Sequence, residues 1–311
     1  MISVAQLTKA YGDVLAIQDL DFEIEGNTVV GFLGANGAGK STTMKILACF
    51  LPPTRGTARV GGFDCFGESV KVREVLGYLP ESVPLYPDMR VHEYLEYMAV
   101  LKGVPAHRRA VATAEVMARC HVDERRRSTI ATLSKGLRQR VGLAATLIHN
   151  PRVLILDEPT IGLDPVEIRK TREMIRELAT DHTVLLSTHI LSEVEQICSR
   201  AIIIRRGSII ADADLSTLVR DQGRTIIDVA AHAPPGALAV AFAGLEGTSV
   251  EPLEPVDSED RCRVSAPGEA DLRAEISRLL KKNDWLCLGL EVRRETLEDV
   301  YVRITQTEKV L

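Results

Sequence analysis

The chain has 311 residues, a length that suggests about two domains. Hydrophobic residues make up 45% and charged residues 26% of the chain, the usual mixture for a globular protein, which argues against disordered and collagen-like chains. The formal net charge of −5 argues against a wholly basic nucleic-acid binder, and no nucleic-acid partner is expected.

Local sequence argues against a membrane-spanning or secreted protein. The longest stretch without Asp, Glu, Lys or Arg, residues 229–245, has 17 residues and includes Pro234 and Pro235, whereas a spanning helix needs about 20 mostly apolar residues. The N-terminus lacks the basic segment and apolar core of a signal peptide. The six cysteines are far apart in sequence, which predicts scattered reduced thiols, without a disulfide framework or zinc site. We therefore expect a cytosolic protein.

The N-terminal pattern predicts strands followed by a helix. Residues 2–25 alternate apolar and polar side chains around Gly12 and Asp13, as in short antiparallel strands. Residues 28–33 form a continuous apolar run, which is typical of a strand buried on both faces. Residues 41–50 follow with helical spacing of their apolar side chains.

The middle of the chain predicts a parallel sheet with a helical insertion. The insertion spans about residues 89–150, and further apolar runs predict buried strands at 153–156 and 183–186. A helix follows each of these strands, and strands that alternate with helices favour a mostly parallel sheet covered on both sides. The predicted helices of this part lie near 91–102, 106–120, 136–149, 166–179 and 190–198.

The pattern changes after about residue 215. Short strands and two helices predict a separate α+β domain, for which the split βαβ arrangement is one candidate. We therefore expect two domains, residues 1–214 and 215–311. The predicted strands of the second domain are residues 225–229, 261–265 and 286–292, and its predicted helices are 271–282 and 297–304.

Residues 34–41, GANGAGKS, match the phosphate-loop pattern G-x4-G-K-[ST] between a predicted strand and a predicted helix. Glycines allow successive backbone N–H groups to point at phosphate oxygens, and the helix N-terminus attracts the same anion. Lys40 would reach the β- and γ-phosphates of a nucleotide, and the Ser41 hydroxyl would bind Mg²⁺. The predicted nucleotide-binding residues here are Asn36, Gly37, Ala38, Gly39, Lys40, Ser41 and Thr42.

Asp157 and Glu158 directly follow a predicted buried strand, and ligands of such sheets bind at the carboxyl ends of the strands. We expect Asp157 to hold Mg²⁺ and Glu158 to orient or deprotonate an attacking water. Acids at a strand end are common, so this prediction depends on the phosphate loop. His189 ends the next strand and is a candidate donor to the γ-phosphate, although a lone histidine more often has a structural role.

Together these motifs resemble the ATP-binding subunits of ABC transporters over about residues 1–214. Residues 133–140, LSKGLRQR, resemble the family signature LSGGQxQR; residues 161–164, IGLD, resemble the D-loop; and residues 77–81, GYLPE, resemble the Q-loop. The resemblance implies an α/β fold: a P-loop NTPase (RecA-like) sheet core with an antiparallel β subdomain and a helical insertion, plus a small C-terminal α+β domain.

The resemblance also implies roles for individual residues. Tyr11 would stack on adenine, Glu81 would take the place of the Q-loop glutamine beside Mg²⁺, and His189 would be the switch histidine. Ser134, Lys135 and Gly136 of the signature would bind the nucleotide held by a second copy. The implied activity is hydrolysis of ATP with Mg²⁺ by catalytic residues Lys40, Glu158 and His189.

Four positions depart from the family pattern: Glu81 replaces an amide, Lys135 a glycine, Leu137 a glutamine, and Ile161 a small polar residue. None of them removes a predicted catalytic group, so we expect an active ATPase. The LSKG and GYLPE strings resemble those of ATPases of ABC-2-type exporters, including the gliding-motility subgroup. Residues 297–301 (LEDVY), near the end of the second domain (the tail domain, residues 215–311), add to this resemblance.

The resemblance implies a homodimer that encloses two ATP molecules in composite sites, together with separate transmembrane permease subunits. The protein would then lie on the cytoplasmic face of the inner (plasma) membrane. Two other functions stay open: a soluble ABC protein that acts on ribosomes or DNA, and a nucleotide sensor that binds ATP without substantial hydrolysis. For the tail domain, dimer contact, regulation of hydrolysis and binding of an accessory protein are all candidates.

Overall fold

The computed structural model describes residues 1–256, 259–268 and 271–306. The chain divides into two compact units, Met1–Ala213 and Asp214–Leu311. The predicted second domain also includes residues 257–258, 269–270 and 307–311, which lie outside the described residues.

The first unit contains a parallel sheet, an antiparallel sheet and seven α-helices. Its strands are β1 (Ile2–Tyr11), β2 (Val14–Ile24), β3 (Val29–Leu33), β4 (Arg55–Val60), β5 (Phe63–Asp64), β6 (Leu76–Leu79), β7 (Val153–Asp157), β8 (Thr183–Thr188), β9 (Arg200–Arg205) and β10 (Ser208–Asp214). Its helices are α1 (Lys40–Leu47), α2 (Ser69–Val75), α3 (Val91–Leu101), α4 (Arg109–Arg119), α5 (Lys135–Leu147), α6 (Pro165–Leu178) and α7 (Leu191–Ile197).

The central sheet has the strand order β10-β9-β3-β8-β7-β6, and the pairs from β9 through β6 are parallel. Every residue of β3, β7 and β8 is buried, as their continuous apolar runs predict. Helices α3, α4 and α5 lie between β6 and β7 in the chain, where the helical insertion was expected. The carboxyl ends of β3, β7 and β8 therefore lie side by side.

The second sheet of this unit has the order β2-β1-β4-β5 and is antiparallel. The alternating residues 2–25 form β1 and β2, so that prediction is confirmed. One hydrophobic core joins both sheets and α1, with Leu7, Leu20, Phe32 and Met44 among its fully buried members. This shared core holds α1 between the two sheets.

The second unit has the order β-α-β-β-α-β within an antiparallel sheet, β12-β13-β11-β14, which is the split βαβ arrangement. Phe242, Ile276 and Val264 are among the residues of its own core. No helix among the described residues combines the length and the apolar character that crossing a bilayer requires. The elements are α8 (Leu215–Gln222), β11 (Arg224–His232), α9 (Ala237–Phe242), β12 (Ser249–Val256), β13 (Glu259–Pro267), α10 (Arg273–Lys282), β14 (Leu286–Arg294) and α11 (Leu297–Gln306).

Candidate nucleotide site

The phosphate loop joins β3 to α1, as its sequence predicts. Gly39 caps α1 with a φ of 109°, and no side chain accepts a hydrogen bond from the first turn of the helix. A Cβ on Gly39 would lie 2.6 Å from Cγ2 of Ile17 and 2.8 Å from the carbonyl oxygen of Ala16, so only glycine fits. The uncapped N–H groups and the helix dipole together form an anion site.

Lys40 is folded back over this loop. Its side chain is 6% exposed, and Nζ donates to the carbonyl oxygens of Gly34 at 2.8 Å and Ala35 at 3.3 Å. Nζ also lies 3.4 Å from Oε1 of Glu158. The loop carbonyls and one carboxylate therefore hold a buried cation beside the anion site.

Hydroxyl and carboxylate oxygens meet where β7 ends. Oγ of Ser41 donates to Oδ1 of Asp157 at 3.4 Å, and Oγ of Ser187 makes a short hydrogen bond to the same oxygen. The described residues include no group of three or more His, Cys, Asp or Glu side chains that could hold a metal ion. A few oxygen ligands of this kind suit Mg²⁺, which completes its shell with water and phosphate oxygens. Ser187 was not predicted, although it lies at the end of a predicted strand.

Glu158 lies between a cation and an imidazole. Its carboxylate is 2.9 Å and 3.0 Å from Nδ1 of His189, in addition to its contact with Lys40. Because a carboxylate only accepts, Nδ1 of His189 carries the hydrogen in this contact. Nε2 of the neutral ring is then an acceptor, and it becomes a donor only when the ring is protonated.

A cavity of about 330 Å³ lies beside the phosphate loop. It brings together Glu81, Glu158 and most of the predicted loop residues, and Glu81 and Ile161 also line a neighbouring cavity of about 540 Å³. Ala38 is buried behind the loop, where its N–H donates to the carbonyl oxygen of Ala35. The residues that line the first cavity are Ala16, Asn36, Gly37, Gly39, Lys40, Ser41, Thr42, Glu81, Glu158 and Ile161.

The remaining predicted binding residues do not line this cavity. Tyr11 is 49% exposed at the end of β1, where Nζ of Lys9 lies 5.3 Å from its ring centre. Ser134 caps α5, because its Oγ accepts from the N–H of Leu137 at 3.3 Å. Gly136 packs closely against Glu167, which a Cβ would approach to 2.8 Å. The signature thus forms a second helix N-terminus away from the phosphate loop of its own chain.

Lys135, one of the departures from the family pattern, contacts the D-loop of its own chain. Its Nζ lies directly over Gly162, which has a φ of 67°. The same side chain lines the second cavity together with Glu81 and Ile161. A cation therefore bridges the signature and the D-loop beside the nucleotide cavity.

Glu193 on α7 forms a buried contact network that the sequence did not indicate. Its side chain is 1% exposed, and it accepts from Oγ1 of Thr160 at 2.5 Å and from Oγ1 of Thr188 at 2.9 Å. Nη2 of Arg172 lies 3.6 Å from the same carboxylate. Thr160 follows Glu158 by two positions and Thr188 precedes His189, so Glu193 links the segments that carry both groups.

Comparison with known proteins identifies the family. The family model described as "ABC transporter" matches residues 17–161. The linearmycin resistance ATP-binding protein LnrL of Bacillus subtilis is 30% identical, over 98% of this chain and 98% of that protein. This chain belongs to the ATP-binding subunits of ABC transporters.

Two further relatives agree with this assignment. The daunorubicin resistance ATP-binding protein DrrA3 of Streptomyces coeruleorubidus is 34% identical, over 99% of this chain and 96% of that protein. A solved structure described as the ATP-binding subunit of an ABC transporter has a TM-score of 0.65 and 29% identity, and covers 71% of this chain and 92% of its own. The predicted fold class and the family resemblance are therefore confirmed.

Proposed function

We propose that this ABC subunit hydrolyses ATP to power an ABC-2-type membrane exporter. The observation that carries the proposal is the position of Glu158, which directly follows β7 and lies between Lys40 of the phosphate loop and His189. Within this proposal, residues 1–214 are the nucleotide-binding domain and residues 215–311 an accessory domain.

The loop side of the cavity would bind the triphosphate. Residues 36–42 would supply backbone N–H groups and hydroxyls to the phosphates. Nζ of Lys40, which now donates to the carbonyl oxygens of Gly34 and Ala35, would donate instead to oxygens of the β- and γ-phosphates. Ser41, Asp157 and Glu81 would hold Mg²⁺, which neutralises charge on the phosphates when bound. Tyr11 would stack on adenine.

In the hydrolytic step, Glu158 orients a water for in-line attack on the γ-phosphate and accepts its proton. Lys40 stabilises the negative charge that develops on the phosphate oxygens. His189 is oriented by Glu158 through Nδ1 and, once protonated, donates from Nε2 to the same oxygens. Glu158 and Lys40 line an open cavity, which the Ser134 and Gly136 end of α5 from a second copy would close.

The relatives support a role in export. LnrL and DrrA3 are named for resistance to linearmycin and daunorubicin, and both match this chain over nearly its whole length. We infer that separate transmembrane permease subunits complete the transporter and hold this subunit at the cytoplasmic face of the inner membrane. The gliding-motility subgroup stays a prediction, since neither relative carries that name.

Phosphate release with ATP and Mg²⁺ tests the proposal. The wild type should release phosphate, and Glu158→Gln should do so about 100-fold more slowly while still binding ATP, because it lacks the base. Glu173→Gln, which removes an exposed carboxylate on α6, is the matched control and should keep the wild-type rate. Tight ATP binding by a wild type without phosphate release would instead identify a nucleotide sensor.

A further inference from the structure

Two cysteines that are far apart in sequence meet at the end of α1. Cys49 follows this helix, and Cys65 follows β5. The Sγ atoms of both lie against one backbone oxygen, that of Leu47, at 3.9 Å for Cys49 and 3.5 Å for Cys65. The expectation of scattered thiols is therefore wrong for this pair, which the shared packing of α1 and the antiparallel sheet brings together.

The two thiols differ in accessibility. Cys65 is buried at 5% exposure, whereas Cys49 is partly exposed and has a φ of 62° just beyond the helix end. That backbone conformation turns the chain out of the helix and places the Cys49 thiol at the surface side of the pair. A reagent in solution therefore meets Cys49 first.

The electrostatics of the pair make Cys49 the more reactive thiol. A hydrogen bond from Cys65 lowers the pKa of Cys49, and Arg73 adds to this effect, while partial burial and Asp64 oppose it. The same hydrogen bond and burial raise the pKa of Cys65. Because the thiolate is the nucleophile, a partly exposed thiol of lowered pKa beside a buried thiol fits the roles of an attacking and a resolving cysteine.

Other cysteines in the chain lack this combination. Burial raises the pKa of Cys120, Cys198 and Cys262 to about 12 in each case, so these thiols stay protonated and shielded. Cys287 is exposed in the second unit. It lies on β14, which pairs with β11, whereas Cys49 and Cys65 both belong to the first unit.

We propose that Cys49 and Cys65 form a dithiol site that reacts with low-molecular-weight disulfides. The thiolate of Cys49 attacks one sulfur of the disulfide, forms a mixed disulfide and releases one thiolate. Cys65 then loses its proton to solvent and attacks Sγ of Cys49, which expels the second thiolate. The protein loses two electrons and two protons, and the small disulfide is reduced to two thiols.

The product is a disulfide that joins the C-terminal end of α1 to the segment after β5. Helix α1 has eight residues, or about 12 Å of helix, between the phosphate loop at Lys40 and this site. The modification therefore lies outside the nucleotide site and does not depend on the proposed ATPase activity.

The test is treatment of the full chain with oxidised glutathione, followed by alkylation and peptide mapping by mass spectrometry. In the wild type we expect a cross-linked Cys49–Cys65 peptide without glutathione, and the loss of two free thiols in addition to any at Cys287. In Cys65→Ser, or Cys65→Ala if the serine variant does not fold, a stable glutathione adduct should accumulate on Cys49. In Cys49→Ser, Cys65 should keep its free thiol.

Cys287 is the internal control, because it is exposed and belongs to the other unit. It should carry a glutathione adduct in all variants. Two results would overturn the proposal: a stable glutathione adduct on Cys49 of the wild type, or an unmodified Cys49 in a sample whose Cys287 has reacted.

Discussion

At the scale of single residues, the backbone conformation of Glu158 decides where the proposed catalytic carboxylate lies. Glu158 has a φ of 49°, a region that non-glycine residues rarely occupy. Its N–H donates to the carbonyl oxygen of Ser187 at 3.1 Å and to Oγ of Ser187 at 3.2 Å, so β8 holds the strained turn in place. This turn directs the carboxylate towards Lys40, and the strain is retained where the proposed chemistry occurs.

The phosphate loop offers a matched pair of glycine substitutions. Gly37 and Gly39 both have positive φ, but only at Gly39 does a Cβ collide with neighbours, namely Ile17 and Ala16. We expect Gly37→Ala to lower the free energy of unfolding by about 1 kcal/mol, through backbone strain alone. Gly39→Ala should lower it by about 3 kcal/mol, because overpacking adds to the strain. Urea denaturation measures both, and equal losses would contradict the packing described here.

At the scale of elements, neighbouring parallel strands bring the site together. Strands β7 and β8 end side by side, and Asp157 pairs in register with Ser187. The carboxylate of Glu193 on α7 then connects Thr160, beyond β7, with Thr188 at the end of β8. We therefore expect Glu193 to hold Glu158 and His189 in position through their neighbours Thr160 and Thr188.

Substitution of Glu193 tests this dependence. Glu193→Ala should lower kcat for ATP hydrolysis by about 10- to 100-fold, since small displacements of catalytic groups are costly. KM should change less, because the phosphate loop is untouched. Glu193→Gln keeps an acceptor oxygen and should recover part of the rate. Glu195→Gln alters an exposed carboxylate of the same helix and is the control. Equal kcat values for all three variants would refute a positioning role.

The end of the helical insertion carries a pH-sensitive contact. Burial, and to a smaller extent Lys102, lowers the pKa of His149 from 6.5 to about 4, and its Nε2 contacts the carbonyl oxygen of Leu76 at 3.1 Å. As the pH falls from 6.5 to 4, the unfolded chain takes up this proton before the folded chain does. The free energy of unfolding should therefore decrease over this range, by at most about 3 kcal/mol from this group.

His149→Gln keeps an N–H donor towards Leu76 and removes the titration. We expect its stability to fall less steeply than that of the wild type between pH 6.5 and pH 4. Denaturation curves across this range measure the difference, with His107→Gln at an exposed position as the control. Identical pH profiles for His149→Gln and the wild type would rule out the contribution.

The sequence predicts most of the elements that have a strong apolar pattern, although the buried run 201–204 of β9 was missed. The buried runs of β3, β7 and β8 and the helices of the insertion were predicted within a few residues. Strand β4, with the sequence RGTARV, was not predicted, because only two of its side chains, Ala58 and Val60, are buried. Strand β10 and helices α8 and α9 were not predicted either.

The candidate site was predictable where a recognisable motif marks its residues. The phosphate loop and the acids after β7 are two such motifs, and Glu158 lies beside the loop as expected. Ser187, Glu193 and the Cys49–Cys65 pair were missed, because no motif marks them and their contacts form through the strand order of the sheet and the packing of α1. Strand order is a tertiary property, which local periodicity does not encode.

At the scale of the whole molecule, one copy contains two separate candidate anion sites, each at a helix N-terminus. The phosphate loop faces the cavity with Glu158, whereas Ser134 and Gly136 lie at the start of α5, outside that cavity. Each helix N-terminus attracts a polyanion, and neither encloses it. The proposed function therefore needs two copies, in which the signature of each closes the phosphate loop of the other.

The most direct test of this account is the molecular mass of Glu158→Gln by analytical ultracentrifugation, with and without saturating ATP and Mg²⁺. We expect a monomer without nucleotide and a dimer with it. Adding Ser134→Glu, which places a negative charge at the second anion site, should abolish the dimer while ATP binding to the phosphate loop is retained. A Glu158→Gln chain that stays monomeric with ATP bound, or a dimer that Ser134→Glu leaves intact, would contradict the account.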